Sequence, residues 1–132
     1  MDSRRNPLQS QLEMENEMQY MLLIYGDEKA WNSMSEDEIK ATMQAYGEVS
    51  KELVASGAMR GGSELAPVST ATTVRVRNGK ALTTDGPFAE TKEQLGGYYL
   101  IEVANLDEAI KWAAKIPSAA FGSVEIRPQI AN

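Results

Sequence analysis

The sequence contains neither cysteine nor histidine. Without cysteine there is no disulfide, thiolate nucleophile or Cys-ligated zinc, and without histidine there is no imidazole base or imidazole metal ligand. Any proton transfer therefore falls to Asp, Glu, Tyr or Lys. Carboxylates at the spacing of a calcium-binding loop are also absent, although composition alone does not exclude a hard, oxygen-ligated ion such as magnesium. We expect no metal site and no cofactor.

Basic residues and long apolar runs are also scarce. The 13 Lys and Arg are outnumbered by 19 Asp and Glu, which gives a net charge of −6. Such a charge repels a phosphate backbone, so nucleic acid is not an expected partner. No apolar run approaches the roughly 20 residues that a bilayer span needs, and no secretory signal pattern is present. We expect a cytoplasmic protein without membrane contact.

The chain length of 132 residues favours a single domain with a modest core. Residues 1–17 have little apolar periodicity and are predicted to form a polar, flexible leader, with a short helical turn as the alternative. The domain is expected to occupy residues 18–130.

Two segments, 19–25 and 98–103, are apolar at both odd and even positions, except for Gln19 at the start of the first and Glu102 in the second. This pattern is typical of strands buried on both faces, so both are predicted to be central strands. A carboxylate in such a strand requires a partner. Arg60, Arg127 and a tyrosine hydroxyl are the candidates for Glu102, and an ion pair is the favoured interpretation.

Two helices are predicted from N-terminal capping boxes followed by apolar residues at helical spacing. The predicted helices span 36–56, with its capping box at Ser35 and Glu38, and 106–116, with its capping box at Asn105 and Glu108.

A β-hairpin is predicted at Asn78-Gly79, because both residues tolerate positive φ in a type I′ turn. Its strands are predicted over 72–77 and 80–84. A weaker strand is expected over 58–64, and a closing edge strand over 124–127, before Pro128. The order is β-α-β, an inserted hairpin, then β-α-β. It predicts an α+β protein with a ferredoxin-like split β-α-β arrangement.

In that arrangement both helices cover one face of the sheet. The other face would expose Tyr, Leu, Ile and Val side chains as a large apolar patch. Burial of each side chain contributes roughly 1.5–3 kcal/mol, so several together can offset the entropy cost of association. The sequence therefore predicts a homodimer formed through the sheets.

Residues 85–101 read DGPFAETKEQLGGYYLI and combine turn residues, a charge cluster and a buried strand. This segment resembles the signature of the YCII-related (DGPF) domain family, small bacterial α+β proteins. Residues 20–28, 71–77 and 122–128 are similar to further family landmarks, so the resemblance covers essentially all of 18–128. It implies a dimeric α+β barrel with a cleft between sheet and loops. A His–Asp pair proposed for one branch cannot be carried over, because this chain has no histidine.

The candidate site residues lie in the signature and at the ends of the two central strands. Asp85 is the candidate catalytic proton acceptor, with Phe88 as an apolar wall. A structural turn explains the same Asp-Gly-Pro residues equally well. The predicted ligand-binding residues are Tyr25, Asp27, Asp85, Gly86, Pro87, Phe88, Glu90, Lys92 and Tyr98.

Three functions are compatible with these residues, and the sequence leaves open whether the protein is an enzyme. The first is small-molecule binding in a cleft near the dimer seam, with carboxylate or tyrosine acid-base catalysis. The second is a non-catalytic regulatory or protein-interaction module, which the resemblance links to sigma-factor systems. The third is a purely structural dimer that engages another protein.

Overall fold

The computed structural model describes residues 18–130, and the predicted leader lies outside them. Within this range the protein is α+β with antiparallel sheets, as predicted. In chain order the elements are β1 (Met18–Gly26), α1 (Glu28–Asn32), α2 (Glu36–Ser56), β2 (Met59–Glu64), a 3₁₀ turn (Val68–Thr70), β3 (Thr72–Arg77), β4 (Lys80–Asp85), β5 (Gln94–Val103), α3 (Leu106–Lys115), α4 (Ser118–Phe121) and β6 (Ser123–Pro128).

The main sheet has four antiparallel strands in the order β2-β5-β1-β6. The two strands predicted to be central, β1 and β5, lie side by side in its middle, with Leu22 opposite Tyr99 and Leu23 opposite Tyr98. β6 is an edge strand, which suits Pro128 at its end. The prediction that strands with apolar residues at both odd and even positions are central is confirmed.

The core lies between one face of this sheet and the helices. Tyr20, Leu22 and Ile24 of β1 point to this side and form one buried cluster with residues of α2 and α3. Side chains alternate between the two faces of a strand, so their neighbours point the other way. This second face, the outer face, carries Met21, Leu23, Tyr98 and Leu100, which are partly exposed and do not belong to the core cluster.

Local capping chemistry sets the helix ends. At the start of α2 both hydrogen bonds of the Ser35–Glu38 capping box are present, and Gly57 ends the helix in the left-handed region at φ 83°. At the start of α3 the side chain of Asn105 accepts from the Glu108 N–H. α3 ends at Lys115, one residue earlier than predicted. The reason is that the residue before a proline, here Ile116, is driven into extended backbone.

The predicted hairpin is confirmed, with Asn78 at φ 53° and Gly79 at φ 77°. β3 and β4 form a sheet of their own. Most of its side chains are exposed, including Val74, Val76 and Leu82 at 59%, 60% and 50%.

Strand β5 begins at Gln94, four residues before the apolar segment 98–103 that predicts it. Gly96 and Gly97 therefore lie inside the strand. A Cβ at Gly97 would lie 2.9 Å from the Ser63 carbonyl oxygen of β2. This close approach of two backbones requires glycine.

Two short helices, α1 and α4, were not predicted.

The expected ion pair of Glu102 is confirmed. Its carboxylate lies 3.1 Å from the Arg60 guanidinium and 3.2 Å from the Gln19 amide nitrogen. Hydrogen bonds from Gln19 and then from Arg60 lower the pKa of Glu102. These contacts join β1, β2 and β5, so the charge links three neighbouring strands.

None of the helices within residues 18–130 combines the length and apolarity that crossing a bilayer requires.

The buried stripe of α2 can be tested with two adjacent residues. Leu53 is 0% exposed and Val54 is 65% exposed. Leu53→Ala should lower the free energy of unfolding by about 2–5 kcal/mol, because it leaves a cavity in the core. Val54→Ala is the matched control and should change it by no more than about 0.5 kcal/mol. Urea unfolding measures both, and equal effects would contradict this packing.

The Glu102 contacts predict an acid-dependent contribution to stability. Because the folded-state pKa lies below the unfolded value, this contribution is present above the unfolded pKa and is lost as pH falls through the folded one. Glu102→Gln should cost about 0.5–1 kcal/mol at pH 7, since both charged partners are partly solvated. It should also flatten the loss of stability below the ordinary value of 4.5. Denaturant unfolding at several pH values, with the exposed Glu48→Gln as control, checks this; identical acid profiles for Glu102→Gln and wild type would contradict it.

Candidate functional site

A cleft of about 970 Å³ opens beside β2 and the first half of β5. Helices α1, α2 and α4 and the loop after β2 complete its walls. The β2 side is built from small residues, Gly61, Gly62 and Ser63, which leave the space between strand and helix unfilled. Its size lies in the range of roughly 300–1,000 Å³ that is usual for small-molecule sites.

Two tyrosine hydroxyls line the cleft, and each is paired with a serine. The Tyr46 hydroxyl is hydrogen-bonded to the Ser118 hydroxyl. The Tyr99 and Ser50 hydroxyls are 2.9 Å apart. Burial raises the pKa of Tyr46, so this phenol stays protonated at neutral pH. The two pairs therefore offer fixed hydrogen-bonding groups, and Tyr46 is a poor general base.

Three carboxylates, those of Asp27, Glu28 and Glu64, also line the cleft. Asp27 is the N-cap of α1 and accepts from the Lys29 N–H at 2.9 Å. One Glu28 carboxylate oxygen accepts from the Val68 N–H at 3.1 Å. Glu28 therefore ties the start of α1 to the 3₁₀ turn, which fixes the position of its charge.

Aromatic side chains supply much of the remaining wall. Trp31 comes from α1 and Phe121 from α4, alongside Tyr46 and Tyr99. Several aromatic faces with a few fixed polar groups are typical of a site for a planar or apolar ligand. Among the residues that the structure describes, no group of three or more carboxylates is placed to hold a metal ion.

The turn at the start of the signature has a structural role. Gly86 adopts φ 106°, a conformation that favours glycine. Its N–H donates to the Ala71 carbonyl at 2.6 Å, and its carbonyl accepts from the Thr73 hydroxyl at 2.8 Å. The turn therefore closes the hairpin at its open end. Asp85 is exposed there, and Phe88 is 77% exposed.

The structure places two of the predicted site residues, Asp27 and Tyr98, on the cleft wall. The others do not line the cleft: Tyr25, Asp85, Gly86, Pro87, Phe88, Glu90 and Lys92. Burial first, and then the charge of Glu125, raises the pKa of Tyr25.

Sequence reasoning did not identify Tyr46, Ser50 and Ser118 as site residues. In the sequence Tyr46 is one of the apolar residues at helical spacing that predict α2. A usable signal was present, because Tyr46 and Ser50 are four residues apart and so share one face of the helix. Two hydroxyls on a core-facing helix surface indicate a polar contact inside the fold.

Gln94 connects the signature to the cleft. Its side-chain oxygen accepts from the Glu28 N–H at 2.9 Å, and its amide nitrogen donates to the Thr91 carbonyl. Gln94 itself lines the cleft. The end of the signature therefore helps to position the acidic start of α1.

Comparison with known proteins identifies relatives of this chain. The YCII-related domain matches residues 18–130. The protein named "Uncharacterized protein R00369" from Rhizobium meliloti (strain 1021) is 40% identical over 113 residues, which cover 84% of this chain and 91% of that protein. A domain match over most of the chain and an identity of this level lead to one conclusion: the chain belongs to the YCII-related domain family.

Proposed function

We propose that this protein binds a small molecule in the cleft beside β2. The cleft itself carries the proposal: about 970 Å³ lined by aromatic side chains, two paired tyrosine hydroxyls and three carboxylates. Convergent polar groups on a mostly apolar wall are the usual composition of a ligand site. Asp27 and Tyr98, both predicted from sequence, contribute to this wall.

Binding without turnover is the form of this function that the geometry favours. The Tyr46 hydroxyl is held in a hydrogen bond, and its raised pKa keeps the phenol protonated at neutral pH, so no phenolate is available as a base. Asp85, the candidate catalytic base, is exposed at the end of β4 and does not line the cleft. Acid-base catalysis by the cleft carboxylates is the alternative, which turnover of a bound compound would demonstrate.

A metabolite screen by thermal shift tests the binding function. Met43 and Val54 are both exposed on α2, at 46% and 65%, but only Met43 lines the cleft. A compound bound in the cleft should raise the melting temperature of wild type and of Val54→Trp. It should fail to stabilise Met43→Trp, whose indole fills the space. A compound that stabilises Met43→Trp and Val54→Trp equally binds outside the cleft. If every compound that stabilises wild type also stabilises both variants equally, the proposal is contradicted.

We also propose that two copies form a dimeric α+β barrel. The strand order β2-β5-β1-β6 with both long helices on one face supports a ferredoxin-like arrangement with an inserted hairpin. Its outer face places the apolar pairs Met21 with Leu100 and Leu23 with Tyr98 next to each other in the middle of the sheet. A second copy of the chain could cover this patch with the same patch of its own surface.

Charge on the outer face should separate the two copies. Leu23→Asp places a carboxylate in the middle of the proposed interface, where its desolvation opposes association. We expect wild type to sediment as a dimer at micromolar concentration and Leu23→Asp as a monomer. Val54→Asp introduces the same charge on an exposed part of α2 and should leave the dimer intact. A monomeric wild type would rule out the dimer.

A regulatory or protein-interaction module is the second candidate function, and the β3–β4 hairpin favours it. Val74, Val76 and Leu82 are at least half exposed on a sheet separate from the main one. Exposed apolar residues on a projecting hairpin are suited to contact with another protein. The interaction function becomes the better explanation if no compound binds the cleft.

A further inference from the structure

The charges around the cleft all have one sign. Asp27, Glu28 and Glu64 line it, whereas no Lys or Arg of the described chain does so. The nearest basic residue in sequence, Lys29, is exposed on α1 and does not line the cleft. Arg60 of β2 is held by the Glu102 carboxylate at 3.1 Å. The charged side chains of this cleft would therefore repel an anionic ligand.

The carboxylates are held in place and keep acceptor capacity. Asp27 uses one oxygen to cap α1, and Glu28 uses one oxygen for the Val68 N–H. Each carboxylate has two oxygens with about four lone-pair sites, so acceptor capacity is left for a ligand. Within residues 18–130, neither of them takes part in an ion pair. Their positions are set by backbone contacts, which keeps the negative charge at the wall of the cleft.

The aromatic wall is complementary to positive charge as well. Trp31 and Phe121 line the same cleft as the carboxylates. The face of an aromatic ring carries negative potential and attracts an ammonium group, most strongly in the case of tryptophan. The same rings provide apolar surface for an aromatic or aliphatic ligand body. Carboxylates and aromatic faces therefore favour the same kind of ligand.

A metal ion does not satisfy these features. No group of three or more carboxylates in the part of the chain described by the structure is arranged to hold one. The volume of about 970 Å³ also far exceeds what a single ion occupies. An organic cation uses both the charge and the volume.

We infer that the ligand of this cleft is an organic cation, an amine or a quaternary ammonium compound with an aromatic or apolar body. This inference rests on the proposed binding function and specifies its ligand class. The net charge of −6 assists it, because the field of the whole protein attracts cations.

Three compounds with one indole ring and different head groups test the inference: tryptamine, tryptophol and indole-3-propionate. Isothermal titration calorimetry at pH 7 gives Kd for each. We expect tryptamine to bind at least about tenfold more tightly than tryptophol, with indole-3-propionate the weakest. Added salt should weaken tryptamine binding and leave tryptophol binding nearly unchanged.

The double variant Glu28→Gln/Glu64→Gln removes two charges and keeps an oxygen that can accept from the Val68 N–H. In this variant, the affinity for tryptamine should fall to within about twofold of that for tryptophol. The control is Glu48→Gln/Glu125→Gln, in which both residues are exposed and neither lines the cleft. It has the same net charge and should retain the preference for tryptamine.

Equal affinity for the three compounds, or a preference for indole-3-propionate, overturns the cation inference and leaves the binding function intact. Absence of binding by all three also overturns it. In that case the metabolite screen with Met43→Trp and Val54→Trp decides separately whether the cleft binds anything.

Discussion

Pairing of β1 with β5 is the contact on which the rest of this structure depends. One face of the pair contributes Leu22 and Ile101, both 0% exposed, to the core beneath α2 and α3. The other face carries Met21, Leu23 and Leu100, which the core does not use. The same pair therefore stabilises the fold on one side and gives the apolar surface for the proposed dimer on the other. A change of register by one residue would exchange the two faces, so both the core packing and the surface for the proposed dimer would be lost.

The cleft follows from small residues next to this pair. β2 contains Gly61, Gly62 and Ser63, and β5 contains Gly96 and Gly97. Larger side chains there would fill the space beside α2. A Cβ on Gly62 would lie 2.9 Å from the Tyr98 carbonyl oxygen, so the backbone geometry excludes them at that position. Glycine thus permits close strand pairing and leaves an open volume at the same time.

Sequence reasoning succeeded where short-range chemistry decides the structure. The Ser35–Glu38 capping box and the Asn78-Gly79 turn were predicted and are present. The ion pair of Glu102 was also predicted, and Arg60, one of three candidate partners, forms it from the neighbouring strand. The cleft could not be predicted in the same way, because it depends on how closely α2, β2 and β5 approach one another. The short helix α1 escaped prediction because five residues carry too little apolar periodicity. Asp27 and Tyr98, predicted near the ends of central strands, both border the cleft.

The signature segment contributes to the cleft through its later residues. Its first part closes the hairpin through Gly86, with Asp85 exposed. Further along, Glu93 accepts a hydrogen bond from the Ser123 hydroxyl at 2.9 Å, and Gln94 accepts one from the Glu28 N–H. These two bonds fasten the segment to the start of β6 and to the start of α1. α1 carries Trp31 and the carboxylate of Glu28, both of which line the cleft. The signature segment therefore helps to position an aromatic ring and a charge of the cleft, although its own Asp85 does not line the cleft.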